Sequence, residues 1–174
     1  QEIWEIGISN HKKFFENNLY WADGSVLKIF DFDIIKGDRF SALSNPYSII
    51  INENVARKYF GDEDPIGKTL SIDNTTACQV TAVYKNFPSN FSFDAEIIGS
   101  ITSIDWMHKN LVWSNASFET YVLLDESSKA EAIEKKINEI TAKKVPDAER
   151  WFSFSLQPLR DIHLQSDNIQ NTYI

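Results

Sequence analysis

The stretch from Ile49 to Phe87 constrains the fold of this chain more than any other. The apolar run Ile49–Ile51 predicts a buried strand, and Asn52 follows it directly. An asparagine side chain can accept a hydrogen bond from a free N–H of the first helical turn, so a helix is predicted to begin here. Gly61 is predicted to end that helix because glycine readily adopts the left-handed conformation found after helix ends. Pro65 then prevents any continuation of the helix.

An acidic turn follows the helix and leads into a predicted hairpin. Asp62–Asp64 cannot easily be buried, so these residues mark a solvated turn. Gly67 gives the backbone freedom just before the predicted strand Thr69–Ile72, whose partner is predicted at Cys78–Tyr84. We interpret the side chains of this motif as structural rather than reactive. They are Phe60, Gly61, Asp64, Pro65, Gly67 and Lys68.

The order of these residues resembles a known family. The run Ala56–Lys68, ARKYFGDEDPIGK, is similar to a segment of the extracytoplasmic core domain of MacB/FtsX-type ABC transporter permeases. Members of that family commonly show an alanine, a basic and an aromatic residue, Phe-Gly, acidic residues and then Pro-(Ile/Val)-Gly-Lys. The stretch Tyr20–Phe32 resembles the family's segment in which an acidic residue precedes an apolar helical turn and an aromatic pair. The resemblance covers residues 20–166.

The resemblance implies an α+β fold with two lobes. A split, porter-like α/β lobe would comprise residues 1–45 and 115–174, and its N-terminal part is expected to be truncated in this chain. A β-rich lobe with one short helix, residues 46–114, would be inserted into it. The chain would cross between the lobes near Ser44–Tyr47 and near Trp113–Ser117. Both crossings carry small or turn-forming residues, which suits a hinge.

The last third of the chain predicts a strand, a helix and a strand. Apolar residues alternate over Phe118–Leu124 and again over Phe152–Leu156, as in strands with one buried face. Ser128 and Glu131 have the spacing of a capping box, which predicts that a helix begins at Ser128. The stripe that would bury this helix consists of Ile133, Ile137 and Ile140.

Charge and cysteine content exclude several classes of protein. The net charge of −8 over 174 residues argues against a nucleic-acid partner. Cys78 is the only cysteine, so neither an internal disulfide nor a cysteine zinc site is possible. It lies on the alternating run Cys78, Val80, Ala82, which predicts a buried, unreactive thiol. No apolar run reaches the roughly 18 residues that span a bilayer, and no signal peptide is visible at Gln1.

No reactive constellation stands out in the sequence. His11, His108 and His163 do not form a metal-binding pattern with their neighbours, so no metal, cofactor or enzyme activity is predicted. Trp106, Met107 and Trp113 are candidate contacts at the lobe interface or with a partner. An alternative hypothesis is a soluble extracytoplasmic module that binds a carbohydrate or a peptide, with exposed tryptophans stacking on the ligand.

The resemblance implies a non-enzymatic periplasmic domain of an inner-membrane permease, which transmits ATP-driven conformational change to an extracytoplasmic partner or substrate. The ATPase would be a cytoplasmic domain or subunit, reached through a membrane part outside this chain. A second permease copy and a periplasmic adaptor or substrate are the other partners that the resemblance implies.

Overall fold

The computed structural model forms two compact units, residues 1–110 and 111–174. In the part of the chain that the structure describes, unit 1 has a mixed sheet with two short helices and unit 2 has one longer helix, which confirms the predicted α+β class. No helix in the described part of the chain is long and apolar enough to cross a membrane. The residues that the structure describes are 2–9, 12–88, 94–105, 118–146 and 152–161.

Eight strands of unit 1 form one sheet in the order β2-β1-β6-β7-β5-β8-β3, and β4 also pairs with β7. The β5–β7 and β3–β8 pairs are parallel, and the other pairs are antiparallel. The strands are β1 (Trp4–Ser9), β2 (Lys12–Glu16), β3 (Leu19–Ala22), β4 (Ile34–Gly37), β5 (Ser48–Asn52), β6 (Thr69–Ile72), β7 (Thr76–Tyr84) and β8 (Ile97–Ser100). The α-helices with described bounds are α1 (Val26–Ile29), α2 (Glu53–Phe60) and, in unit 2, α3 (Ala130–Lys144).

The sheet of unit 1 has a hydrophobic core on each face. Helix α2 covers one face, where Val55 and Tyr59 pack among residues such as Ile49 and Ile51. Helix α1 and the segment after it cover the other face, where Leu27 packs in the same cluster as Ile50. Because both faces are covered, every residue of β5 is buried, which explains its unbroken apolar run.

Because of a bulge in β7, alternate side chains before and after the bulge pack in different cores. Ile49 lies opposite Val80, but the next residue of β5, Ile50, lies opposite Ala82, so Thr81 is the extra residue. Cys78 and Val80 therefore belong to the core under α2, while Ala82 belongs to the core under α1. The sequence predicted that Cys78, Val80 and Ala82 lie on one face of the strand, and this prediction is wrong for Ala82.

Helix α3 begins one residue later than predicted and without a capping box. Lys129 is at the N-cap position, and no side chain caps this end of the helix. The Ser128 hydroxyl instead donates to Asp125 Oδ1 at 2.8 Å. The predicted stripe is also wrong at Ile140, which is 50% exposed, whereas Thr141 is buried beside it.

The two strands predicted beside α3 are wrong, since neither 118–124 nor 152–156 is a strand. The backbone near Phe154 is instead bonded to side chains of the helix. Phe154 N donates to Asn138 Oδ1 at 2.8 Å, and Asn138 Nδ2 donates to Phe154 O at 2.7 Å. Leu156 N donates to Glu134 Oε2 at 3.3 Å. A helix thus supplies the hydrogen bonds that a neighbouring strand was expected to supply.

The sheet of unit 1 extends across the predicted lobe boundary at residue 45. Strands β1, β3 and β4, which precede that boundary, pair with β6, β8 and β7, which follow it. The compact units accordingly group residues 1–110, whereas the prediction grouped 1–45 with 115–174 and treated 46–114 as an insertion. The split-lobe arrangement stays a prediction.

Candidate functional site

The helical part of the family-like motif follows the sequence prediction closely. Asn52 Oδ1 accepts a hydrogen bond from Val55 N at 2.8 Å, so Asn52 caps α2 as predicted. Gly61 ends the helix with φ +64° and ψ −124°, so its φ is positive as predicted, but it does not adopt the predicted left-handed helical conformation. Phe60 is buried, and the Lys68 ammonium lies 5.4 Å from the centre of its ring, within range of a cation–π interaction. Lys68 also forms an ion pair with Glu63.

The remainder of the motif forms an ion pair and a backbone hydrogen bond that connect the turn to neighbouring strands. Asp64 Oδ1 lies 3.1 Å from Lys36 Nζ of β4, and this hydrogen bond is the main reason why the pKa of Asp64 is lowered. Pro65 is buried. Gly67 N donates to Val80 O at 2.8 Å, which prolongs the pairing of β6 with β7 by one step. All these contacts lie within unit 1 and support a structural role for the motif.

A buried carboxylate joins α2 to the edge of the sheet. Glu16, the last residue of β2, is 6% exposed. Its Oε1 accepts a hydrogen bond from Tyr59 OH at 2.6 Å and from Lys58 Nζ at 2.7 Å. Phe14, two residues earlier, packs edge-on against the Tyr59 ring with centroids 5.3 Å apart. Lys12 donates to the Tyr59 carbonyl near the C-terminal end of α2.

The electrostatics of this cluster keep its phenol protonated. Burial, followed by the neighbouring Glu16 carboxylate, raises the pKa of Tyr59 far above its ordinary value. Burial also raises the pKa of Glu96, and the negative charges of Glu16 and Asp94 add to that effect. A phenol that stays neutral and donates to a buried carboxylate is suited to holding two elements together rather than to acid–base catalysis.

Cys78 is buried, as the sequence predicted. Its exposed fraction is 0%, and it lies in the core under α2. Burial raises the pKa of its thiol to about 11, so the thiolate that would act as a nucleophile is scarce at neutral pH.

A shallow polar cleft lies beside β4, lined by Asp31, Phe32, Asp33, Ile34, Gly37 and Arg39. Its charged groups are already paired, since Arg39 lies 2.7 Å from Asp31 and Lys85 lies 2.5 Å from Asp33. Across the described residues, no three His, Cys, Asp or Glu side chains are placed to hold a metal ion.

The predicted contact residues Trp106, Met107 and Trp113 lie outside the described residues, as do the three histidines. Sequence reasoning missed a tryptophan that the structure does describe. Trp21 of β3 lies opposite Gly99 of β8, and its ring occupies the space where a side chain at residue 99 would stand. An aromatic residue and a glycine in neighbouring strands give little signal in a sequence when the strands are far apart along the chain.

Comparison with known proteins gives this fold its context. The structure is similar to a domain of a protein described as a permease from Porphyromonas gingivalis, with a TM-score of 0.63 and 20% identity over 83% of this chain. It is also similar to the periplasmic region of MacB from Actinobacillus actinomycetemcomitans, with a TM-score of 0.55 and 14% identity over 82% of this chain. At such identities these likenesses establish the fold alone.

This chain spans 61% and 63% of the length of those two structures. No curated protein has significant sequence similarity to it. A family model, however, matches residues 5–140, which is most of the sequence, and its description is the MacB-like periplasmic core domain. The chain therefore belongs to the family of MacB-like periplasmic core domains.

Proposed function

We propose that this chain is the periplasmic domain of an inner-membrane ABC transporter permease, and that it passes ATP-driven conformational change to a partner or substrate outside the cytoplasm. The observation that carries the proposal is the family match over residues 5–140. The proposed partners are a cytoplasmic ATPase domain or subunit, a second permease copy, and a periplasmic adaptor or substrate. The ATPase acts through a membrane part outside this chain.

The domain is proposed to work without catalysis or a cofactor. Two described groups that could react are engaged or shielded, since Glu16 accepts two hydrogen bonds from within the chain and Cys78 is fully buried. The ligand-binding alternative relied on Trp106 and Trp113, which lie outside the described residues, so no described observation favours it.

The proposed movement takes place between the two compact units. Unit 1 is stiff because one sheet carries a packed core on each face. The expected joint at Ser44–Tyr47 is held by the sheet, since Gln79 N donates to Tyr47 O at 2.7 Å and Tyr47 N donates to Ser103 Oγ at 2.8 Å. Movement of unit 1 as one body relative to unit 2 fits these contacts better than a joint at Ser44–Tyr47.

The proposal is tested by distance measurements in the full-length transporter. One spin label at Phe40 in unit 1 and one at Leu123 in unit 2 occupy positions that are 78% and 69% exposed. We expect the distance between these labels to change between the ATP-bound and the nucleotide-free state. The control pair, Phe40 and Asp62, lies wholly in unit 1 and should keep its distance. Cys78 is buried and does not compete for the label.

Two results would contradict the proposal. A distance between units that is the same in every nucleotide state, in a transporter that turns over, would show that the units do not move. A change of equal size in the control pair would show that unit 1 is not the rigid body proposed here.

A further inference from the structure

Strand β2 is an open edge of the sheet with an unusual side-chain composition. It ends the strand order of the sheet, and among the described residues only β1 pairs with it. Its sequence is Lys-Lys-Phe-Phe-Glu. Phe15 is 73% exposed and Phe14 is 36% exposed, so aromatic surface flanks backbone groups that are able to pair with another strand.

The edge is held rigidly in place by its side chains. Lys12, Phe14 and Glu16 face α2, where each of them contacts Lys58 or Tyr59. The other two side chains of β2, Lys13 and Phe15, lie on the opposite face because successive residues of a strand alternate. There Lys13 forms an ion pair with Glu5 at 3.0 Å.

This strand is complementary to itself in antiparallel orientation. We propose that β2 pairs with β2 of a second copy of this chain across a two-fold axis at Phe14. An axis perpendicular to the sheet keeps each face on its own side, so opposed residues must belong to the same face. In this register Lys12 lies opposite Glu16 of the second copy, and Lys13 lies opposite its Phe15.

The charges favour a second copy over an unrelated strand. Lysines at an open edge normally discourage pairing between sheets. Here Lys13 meets the exposed Phe15 ring of the second copy, and Phe14 meets its own symmetry mate. Lys12 and Glu16 stay bonded to α2 within each copy, so no like charges are opposed. The pairing would join two eight-stranded sheets into one continuous sheet.

The contact is small, so the association is weak. A single pair of five-residue strands buries far less than the roughly 1,200 Å² of a standard interface. This inference identifies the surface through which the second copy in the proposed transporter touches this domain. It is tested on the chain alone, so its failure would leave the proposed transport function standing.

The first test compares two substitutions at one exposed position, using sedimentation at protein concentrations up to about 1 mM. Phe15→Lys places a lysine opposite Lys13 of the second copy, and Phe15→Glu places a carboxylate there. Both substitutions remove the same ring. We expect Phe15→Lys to weaken self-association by about threefold or more and Phe15→Glu to preserve it. The double variant K13E/F15K should restore it, and circular dichroism should confirm that all variants are folded.

Two results of this test would overturn the proposal. An unsubstituted chain that stays monomeric at the highest concentration would show that β2 does not pair. Equal weakening by Phe15→Lys and Phe15→Glu would show that the apolar ring alone, and not the pairing register, causes association.

The second test uses disulfide crosslinking between engineered cysteines to determine which residues of the two β2 strands lie opposite each other. Lys13→Cys and Phe15→Cys chains are mixed and exposed to a mild oxidant. Opposed residues of antiparallel strands have Cβ atoms about 4.5–5.5 Å apart, close to what a disulfide needs. We expect the mixed pair to crosslink faster than either variant alone. Equal rates in all three samples, or no crosslinking, would refute the register.

Discussion

Removing the Tyr59 hydroxyl group should show how much its hydrogen bond to the buried Glu16 carboxylate contributes to the stability of the fold. Tyr59 is 1% exposed, and its hydroxyl lies 2.6 Å from Glu16 Oε1 and 3.3 Å from Ile6 O. Tyr59→Phe keeps the ring and its packing but leaves the carboxylate with Lys58 as its remaining donor. A hydrogen bond to a charged group contributes about 1.5–3 kcal/mol, so we expect Tyr59→Phe to lower the free energy of unfolding by about 2 kcal/mol.

The chain offers a matched control on the opposite face of the same sheet. Tyr84 is 0% exposed, and its hydroxyl donates to the Ala95 carbonyl at 2.8 Å. Tyr84→Phe removes the same atom from an equally buried ring, but the acceptor is neutral. A hydrogen bond between neutral groups contributes about 0.5–1.5 kcal/mol, so Tyr84→Phe should cost about 1 kcal/mol.

Urea unfolding followed by far-UV circular dichroism compares the two variants. With a denaturant slope of about 2 kcal/mol/M, the difference of about 1 kcal/mol separates their midpoints by about 0.5 M. The slope itself should not change, because neither substitution alters the surface exposed on unfolding. Equal losses for the two variants, or a greater loss for Tyr84→Phe, would refute the idea that the charge of Glu16 strengthens its hydrogen bond to α2.

Three further predictions concern other parts of unit 1. Gly99→Ala would place a Cβ atom 2.4 Å from the Trp21 ring, so it should destabilise the fold by about 1–3 kcal/mol in thermal unfolding, and this cost should vanish in a Trp21→Ala background. Because Glu96 has a raised pKa in the folded state, stability should fall as pH rises above about 4.5 towards that pKa, and Glu96→Gln should flatten this slope. Cys78 should react with a thiol reagent far more slowly in the native chain than in denaturant.

Short-range signals in the sequence predicted the local structure of unit 1 well. The cap at Asn52 and the positive φ of Gly61 each depend on a few neighbouring residues, so the sequence alone was sufficient. The capping box at Ser128 failed because Ser127 and Ser128 form a turn around Asp125, which accepts from the Ser127 N–H and the Ser128 hydroxyl, and Lys129 takes the N-cap position instead. A local motif is reliable only where no neighbouring group holds its side chain in a competing conformation.

The strands predicted in unit 2 failed for a different reason. An alternating apolar pattern indicates a strand only if a second strand supplies hydrogen bonds, and periodicity says nothing about that partner. Around Phe154 the partner is the side chain of Asn138 on α3, which bonds both the N–H and the C=O of residue 154. An asparagine within a helix gives no sequence signal of this role.

The Glu16 cluster was missed because its members are distant along the chain. Glu16 ends a short strand of lysines and phenylalanines, where a glutamate would ordinarily be exposed to solvent. Its burial depends on Tyr59, which is 43 residues away in sequence. Such a contact becomes visible only when the order of the strands is known.

The bulge at Thr81 links the two cores and explains why unit 1 should move as one body. The residue that the register skips is Thr81, whose hydroxyl lies 2.6 Å from the Ala42 carbonyl and 3.0 Å from the Ile49 carbonyl. The same strand then contributes Val80 to one core and Ala82 to the other. Sliding one core against the other would require β7 to shift its register and to bury a threonine hydroxyl without a partner. Movement within unit 1 is therefore costly, which favours its displacement as one body in the proposed conformational change.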